Sequence, residues 1–411
     1  KFFKDVVNTL TGEKQILSGI ISDKERKKVL DGLGEAGSKY RMAIYENGFS
    51  SKKTKISKDQ LLEFIAVTQE YLDQSIRKNK RSDKLYHAYN IMTIKNDEVS
   101  ISYLSEMLEG QVAVLSSGYL SPKEALGLLD GLKSSALFRE DQYSYILYPN
   151  KELKRFDKKN NIPSAKVAKS ELLKSLIAEG NSEVVERDVL GNYHFSGSFH
   201  NANSLNNALD NLPKAKYQDL IEKDRELLLQ IFEDIFDHKS FTGRSGTFYG
   251  YEGLGSIYWH MVSKLLLAVQ ENCLLALNKN ESEVIIGKLL DHYYEIEAGI
   301  GVHKSPELYG AFPTDPYSHT PAGKGAQQPG MTGQVKEDIL SRIGELGVFV
   351  KNGCIYFNPK LLRRQEFLGA PKEFHYTNLH KNSIVIPLEK NLIHYRGNLP
   401  HHLQTIPAGV K

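Results

Sequence analysis

Apolar residues recur at helical spacing through most of this chain, and that periodicity limits the fold more than any other feature of the sequence. In the segment Asp23–Asn47, for example, Val29, Leu30, Leu33 and Tyr40 fall at such positions. Residues three and four positions apart share a helix face, so the pattern predicts about ten to twelve amphipathic helices. The predicted helices are Asp23–Asn47, Ser57–Lys80, Ser100–Ser116, Ser121–Ser134, Ala165–Glu179, Ala215–Asp237, Leu254–Leu277, Ser282–Gly299 and Thr332–Leu346, with shorter ones at Tyr86–Met92 and Asn203–Asn211.

The pattern changes after Gly347, where short strands are predicted. Apolar runs on either side of Asn352-Gly353 indicate a β-hairpin, because this dipeptide is typical of a two-residue hairpin turn. Further strands are expected at Phe374–Tyr376, Ser383–Leu388 and Leu392–Tyr395. The predicted fold class is therefore mainly α, with a helical domain over residues 1–346 and a small β unit over residues 347–411.

Composition excludes several classes of protein. The 411 residues carry 53 Lys and Arg against 50 Asp and Glu, a net charge of +3, which gives no electrostatic case for nucleic-acid binding. No apolar run approaches the roughly 18 residues of a membrane span. Cys273 and Cys354 form neither a disulfide framework nor a metal-ligand spacing, so we expect no metal and a reducing, cytoplasmic compartment. The chain starts at Lys1 without a Met, and we expect it to be part of a longer chain with a region before Lys1.

The segment from Tyr309 to Gln334 is the richest in groups that could carry chemistry. Glycines let the backbone approach an anion closely, and a Thr-Gly pair before a helix offers a hydroxyl and free amides at a positive helix end. The segment therefore predicts a phosphate or sugar-hydroxyl site, with a structural loop as the alternative. Its candidate residues are Asp315, His319, Lys324, Gln327, Gln328, Thr332 and Gly333.

Two further segments carry candidate sugar-binding residues. Between Asp237 and Lys264, the residues Arg244, Tyr251, Glu252 and Trp259 combine aromatic faces with charged groups, the combination that binds sugar rings and hydroxyls. The alternative for Trp259 is a place in the core.

The second of these segments holds Glu109 and Gln111, which fall inside a predicted helix beside Val112 and Val114. A carboxylate beside an apolar face is costly without a partner or ligand, although an exposed position on the opposite face is the alternative.

Several segments together resemble the inverting disaccharide phosphorylases, the family of cellobiose and chitobiose phosphorylase. The resemblance covers roughly residues 84–365. Within this range, Gly255–Trp259 resembles the family's Gly-Glu-Ser-Val-Trp. The residues in the family's order are Tyr309, Asp315, Tyr317, His319, Gly323-Lys324-Gly325, Thr332-Gly333, Leu346-Gly347, Gly353 and Pro359.

The resemblance implies an (α/α)6 barrel whose active site lies at one mouth and is built from the long loops, with the family's N-terminal β-sandwich falling before Lys1. The family's Asp-Trp-Asn-Asp-Gly motif, which carries its general acid, is absent, and the region reads Asp237-His238-Lys239-Ser240. Gln327-Gln328 stands where the family has aromatic residues, so the sugar subsite must differ.

We therefore expect an enzyme that cleaves a β-linked disaccharide or oligosaccharide by phosphorolysis with inversion, with inorganic phosphate as co-substrate and no other cofactor. Inverting phosphorolysis needs one acid and one bound phosphate. The acid is Glu252 or Asp237, and the flanking Tyr251 and Leu254 favour Glu252 because a drier setting raises a carboxyl pKa. Phosphate contacts are assigned to His319, Lys324, Thr332 and Gly333, and sugar contacts to Glu109, Gln111, Arg244, Tyr251, Trp259, Gln327 and Gln328.

Two alternatives stay open. One is an inverting hydrolase in which Asp315 activates water. The other is a non-catalytic helical toroid that binds glycan within a larger protein.

Overall fold

The computed structural model describes residues 1–49, 53–149, 154–237, 257–302, 319–320, 332–390, 392–395 and 404–407. Helices dominate these residues, and the strands form small antiparallel pairs. Among the described residues every helix is too short or too polar to cross a lipid bilayer. The α-helices are α1 (Phe2–Gly12), α2 (Asp23–Asn47), α3 (Lys58–Lys78), α4 (Leu108–Ser116), α5 (Pro122–Lys133), α6 (Phe156–Lys159), α7 (Ser164–Val167), α8 (Glu171–Glu179), α9 (Ala202–Asn211), α10 (Lys214–Phe236), α11 (Trp259–Asn278), α12 (Glu283–Glu297) and α13 (Thr332–Glu345).

Most of the predicted helices are confirmed. Helix α2 has the predicted bounds, and α3, α5, α9, α10, α12 and α13 begin and end within two residues of them. A capping box is present at the start of α3, since Ser57 Oγ accepts a hydrogen bond from the amide of Gln60 and Gln60 Oε1 accepts one from the amide of Ser57. Local sequence signals therefore set these helix ends.

Two helix predictions are wrong because a hairpin forms there instead. Strand β1 (Asn90–Ile94) pairs antiparallel with β2 (Val99–Tyr103), in the region where the predictions had a short helix and the start of a long one. Three of the five residues of β1, Ile91, Thr93 and Ile94, are β-branched, a composition that suits a strand. Helix α4 then begins only at Leu108.

Other parts of the helical prediction also differ from the structure. Helix α11 begins at Trp259 and not at Leu254, because Ile257 and Tyr258 form a short strand. The predicted helix over Ala165–Glu179 is divided into α7 and α8, because Ser170 caps α8 by accepting a hydrogen bond from the amide of Leu173. The periodicity analysis also misses α1.

The buried apolar side chains form two separate clusters. The first, which we call the main core, draws on residues from Leu85 to Tyr148 and from Ile257 to Leu361. The second, which we call the inner-segment core, lies wholly between Ile162 and Phe232. The chain thus leaves the main core after Tyr148, builds a second core, and returns at Ile257.

Packed helices build the main core. Helix α11 packs against α4, α5, α12 and α13, and α5 packs against α12. Leu265, Val269 and Cys273 of α11 are fully buried in this core. Gln270 of α11 donates hydrogen bonds to Tyr293 Oη and to the carbonyl of Ser341, so polar contacts also join α11 to α12 and α13.

The inner-segment core is held by helices α8, α9 and α10 and by a hairpin. Strand β5 (Val185–Arg187) pairs antiparallel with β6 (Tyr193–Phe195). The carboxylate of Asp224 on α10 is buried and accepts hydrogen bonds from Ser170 Oγ at 2.8 Å and from the amide of Leu172 at 2.9 Å. Asp224 therefore satisfies the N-terminus of α8 from a neighbouring helix.

The predicted C-terminal strands are confirmed. Strand β9 (Val348–Lys351) and β10 (Cys354–Phe357) pair with Lys351 opposite Cys354. Asn352 and Gly353 have φ of 51° and 76°, the left-handed values that the turn requires. The other pairs are β11 (Lys372–Thr377) with β12 (Ser383–Leu388), and β13 (Leu392–Tyr395) with β14 (Gln404–Pro407). The domain boundary at residues 346/347 remains a prediction.

Asp224→Ala should destabilise the segment that holds the inner-segment core. The substitution leaves the buried Ser170 hydroxyl and the Leu172 amide without their acceptor, so the free energy of unfolding should fall by roughly 2–4 kcal/mol. Chemical denaturation measures this loss. The matched control is Asp219→Ala at an exposed position of the same helix, which should leave stability unchanged; an equal loss in both variants would contradict the assigned role.

His194 should make stability depend on pH. Its Nδ1 lies 2.5 Å from the carbonyl oxygen of Asn160 and its Nε2 lies 3.1 Å from a carboxylate oxygen of Asp188, and both atoms are acceptors. Both contacts can be hydrogen bonds only when the ring carries a proton on each nitrogen, and the Asn160 carbonyl and Asp188 raise the pKa of His194 above its ordinary value. A histidine with a raised pKa stabilises the fold fully below about pH 6.5 and loses that contribution as pH rises through its pKa in the folded protein.

We thus expect thermal stability to fall as the pH rises above about 6.5, and His194→Gln to flatten this slope. The control is His200→Gln, at an exposed position five residues beyond β6, which should keep the slope. A slope that survives in His194→Gln would show that another group titrates.

Candidate functional site at the start of helix α11

A short strand pair joins two of the segments in which most candidate residues lie. Strand β7 (Ile257–Tyr258) directly precedes α11, and β8 (His319–Thr320) lies in the segment that follows α12. They pair antiparallel, with Ile257 opposite Thr320 and Tyr258 opposite His319. Ile257 directly follows segment 238–256, and its partner Thr320 lies near the middle of segment 303–331.

Two more segments meet at this point. Strand β3 (Phe138–Arg139) pairs with β4 (Ser144–Tyr145), and β4 packs against β7. The amide of Leu108, at the start of α4, donates a hydrogen bond to the carbonyl of Leu147, two residues beyond β4. Strands β4, β7 and β8 and the first turns of α4 and α11 meet at this place, which we call the strand junction.

A glycine lets the segment after α12 approach the same junction. A Cβ atom at Gly299 would lie 2.1 Å from the carbonyl oxygen of Tyr143, which precedes β4. No side chain can occupy that space, so only glycine permits this contact. The chain that leads from α12 into segment 303–331 is therefore fixed against β4.

The strand junction contains two buried polar atoms without a hydrogen-bond partner among the described residues, Ser144 Oγ and His260 Nε2. Ser144 is 1% exposed. The other ring nitrogen of His260, Nδ1, lies 3.0 Å from Tyr258 Oη. Buried polar atoms are rarely left without a partner, so a hydroxyl and an imidazole nitrogen here are candidates for ligand contact.

A cavity of about 320 Å³ borders the junction. Phe138, Tyr143 and Tyr145 contribute aromatic walls, and Lys133, Glu140 and Glu295 contribute charges. Burial, reinforced by Glu295, raises the pKa of Tyr145 above its ordinary value, so its phenol stays a neutral hydrogen-bond donor. Aromatic faces beside charged groups suit a sugar ring.

Several predicted site residues lie outside the described residues, and their roles remain predictions. They are Glu252, Arg244, Tyr251, Asp315, Lys324, Gln327 and Gln328.

Three predicted residues belong to segments that meet at the strand junction. His319 lies in β8 opposite Tyr258. Trp259 is the first residue of α11 and is buried in the main core, which was the alternative considered for it. Glu109 lies in the first turn of α4 and is half-buried.

Gln111, predicted to bind sugar, is fully buried and its amide contacts the backbone. Its Oε1 accepts a hydrogen bond from the amide of Tyr86 at 2.9 Å, and its Nε2 donates to the carbonyls of Tyr86 and Met107. Each of these atoms already has a protein partner, so the geometry favours a structural role. Gln111 is buried because the segment around Tyr86 packs against it. The sequence pattern does not predict that this segment lies beside α4.

Asp237 and the Thr332-Gly333 pair lie at helix ends, as predicted. Asp237 ends α10 with a left-handed backbone, φ 47°, and its side chain is exposed. Thr332 and Gly333 begin α13. Within the described residues, no three His, Cys, Asp or Glu side chains group closely enough to hold a metal ion.

Neither Ser144 nor His260 was among the site residues predicted from the sequence. The signal for His260 is its position directly after a strand-to-helix turn. Ser144 carries no such signal, because its burial depends on β7 and on Gly299, both distant in sequence.

Replacing Gln111 tests its structural role. Gln111→Leu keeps the size but strips the Tyr86 amide of its acceptor, so the free energy of unfolding should fall by roughly 2–4 kcal/mol in chemical denaturation. Gln218→Leu, at an exposed position of α10, is the control for the substitution. Full stability with a raised KM for sugar would restore the sugar-binding prediction.

One comparison with known families relates this architecture to a class of enzymes. Residues 153–239 match the family described as GH149 phosphorylase insertion domain 2. No curated protein matches the chain. The matched range contains the whole inner-segment core, the part of the chain that interrupts the main core. The match supports the resemblance to glycoside phosphorylases as a class, and it does not single out the cellobiose and chitobiose phosphorylases.

Proposed function

We propose that this protein is a glycoside phosphorylase that cleaves a β-linked disaccharide or oligosaccharide with inversion. The observation that carries the proposal is the match of residues 153–239 to a phosphorylase insertion domain, because these residues also form a separate core in the segment that interrupts the main core along the chain. The proposed scaffold is an (α/α)6 barrel, of which α4, α5, α11, α12 and α13 would be part.

The proposed site lies at the strand junction. Segments 238–256 and 303–331, which hold most candidate residues, are joined there by β7 and β8. The buried Ser144 Oγ and His260 Nε2 add a hydroxyl and an imidazole nitrogen that can contact a sugar or a phosphate. The phosphate contacts proposed from the sequence are His319, Lys324, Thr332 and Gly333.

In the proposed reaction, a carboxylic acid protonates the glycosidic oxygen as the bond from that oxygen to the anomeric carbon breaks. A phosphate oxygen attacks the same carbon from the opposite face and forms the new bond, so the products are a sugar 1-phosphate and a shortened sugar. Glu252 is the favoured acid and Asp237 the alternative. The exposure of Asp237 agrees with this preference, because an acid that holds its proton needs drier surroundings.

The direct test is to assay the protein on a panel of disaccharides with and without inorganic phosphate, and to measure sugar 1-phosphate. Release that requires phosphate supports the proposal. Release of free sugar without phosphate would favour the hydrolase, with Asp315 as the proposed base. No turnover on any substrate would favour a non-catalytic glycan-binding protein.

Thr332→Ala should separate phosphate binding from sugar binding. Loss of the hydroxyl at the start of α13 should raise the phosphate KM roughly tenfold or more and the sugar KM much less. The matched control is Ser121→Ala, which removes the hydroxyl that caps α5 and should cost about 1 kcal/mol of stability without moving the phosphate KM. Equal effects of Thr332→Ala on both KM values would contradict a phosphate contact.

A further inference from the structure

Helix α13 carries three buried polar side chains at four-residue spacing. Glu337, Ser341 and Glu345 are 3%, 2% and 3% exposed. Residues four positions apart lie on one face of a helix, so these three side chains form one polar row. Gly333, at the start of α13, occupies the position four residues before Glu337.

The end of this row is satisfied by protein contacts. Glu345 accepts a hydrogen bond from Tyr293 Oη at 2.5 Å and forms an ion pair with Arg342. One turn earlier, the carbonyl of Ser341 accepts a hydrogen bond from Gln270 Nε2 at 2.6 Å. Glu345 is therefore a buried carboxylate with partners for both oxygens.

Glu337 and Ser341, at the start of the row, each have a side-chain oxygen that lacks such a protein contact among the described residues. Glu337 Oε1 lies 3.1 Å from Nζ of Lys336, whose side chain is 73% exposed. Glu337 Oε2 and Ser341 Oγ are buried and have no hydrogen-bond partner among the described residues. A buried carboxylate oxygen without a donor is costly, so a group outside the described residues should donate to it.

The geometry of the helix indicates where that group lies. Helical side chains lean toward the N-terminus, so Glu337 leans over the first turn of α13, where Gly333 has no side chain to fill the space. The same turn begins with Thr332, the proposed phosphate contact. A carboxylate repels phosphate, whereas a sugar hydroxyl can donate to it.

We propose that Glu337 is a substrate-binding residue that accepts a hydrogen bond from a sugar hydroxyl, with Ser341 Oγ as its neighbour. This proposal rests on the proposed function, because it places the sugar beside the phosphate at the start of α13. It assigns α13 two tasks: the N-terminal turn contacts the substrate, and the C-terminal end holds the helix to α12.

The test compares Glu337→Gln with Glu345→Gln, two charge-removing substitutions on one face of one helix. Glu337→Gln should raise the sugar KM roughly 10- to 100-fold, since it removes a charged acceptor, and should leave the thermal midpoint near that of the wild type. Its phosphate KM should stay the same or fall, because a negative charge is removed. Glu345→Gln should lower the thermal midpoint and keep the sugar KM. Glu337→Asp, which keeps the charge, should recover part of the sugar affinity.

The outcomes separate this proposal from the proposed function. An unchanged sugar KM in Glu337→Gln, or a raised phosphate KM alone, overturns the proposal while phosphorolysis stands. Turnover without phosphate dependence, but with a raised sugar KM in Glu337→Gln, overturns phosphorolysis and supports the sugar contact.

If the wild type turns over no sugar in the panel, calorimetry with glucose and the same disaccharides decides. Weaker binding by Glu337→Gln supports the contact. Equal binding, or no binding by the wild type, overturns it.

Discussion

The burial of helix α11 on almost every side is the constraint on which the main core depends. A helix that is apolar around most of its circumference must be surrounded by other elements, and α11 packs against α4, α5, α12 and α13. Two buried amides fix its neighbours as well, since Gln270 contacts Ser341 and Asn272 donates to the carbonyl of Leu115 in α4. A Cβ at Gly344 would lie 2.0 Å from the side chain of Gln270, so glycine there lets α13 approach α11 closely.

The position of α11 also explains why the chain can carry a second core. Among the described residues, the main core draws only on residues before 149 and after 256, and the second core, from Ile162 to Phe232, is built from its own apolar side chains. Phe195 and Phe232 stack edge to face in that second core, at 5.2 Å between ring centroids. The chain returns to the main core at β7, directly before α11, and the strand junction forms at this return.

Buried polar groups fall into two classes in this structure, according to whether the described residues supply their hydrogen-bond partners. Gln111, Asp224 and Glu345 hold backbone or side-chain partners from another element, so they stabilise the packing. Ser144, His260 and Glu337 each keep a buried atom that no described residue satisfies. The burial of these polar atoms does not separate the six residues, and only their hydrogen-bond partners distinguish them.

The sequence by itself determined most helix bounds and the Asn352-Gly353 hairpin, because capping residues, turn residues and apolar periodicity act over a few neighbouring positions. It also identified the segments that β7 and β8 join. It failed at β1 and β2, at the division between α7 and α8, and at Gln111, where the deciding partner lies far along the chain. Tertiary structure alone decided that Gln111 holds Tyr86, that Ser144 is buried against β7, and that Glu345 has partners whereas Glu337 Oε2 has none, because burial and hydrogen-bond satisfaction depend on which distant segments pack together.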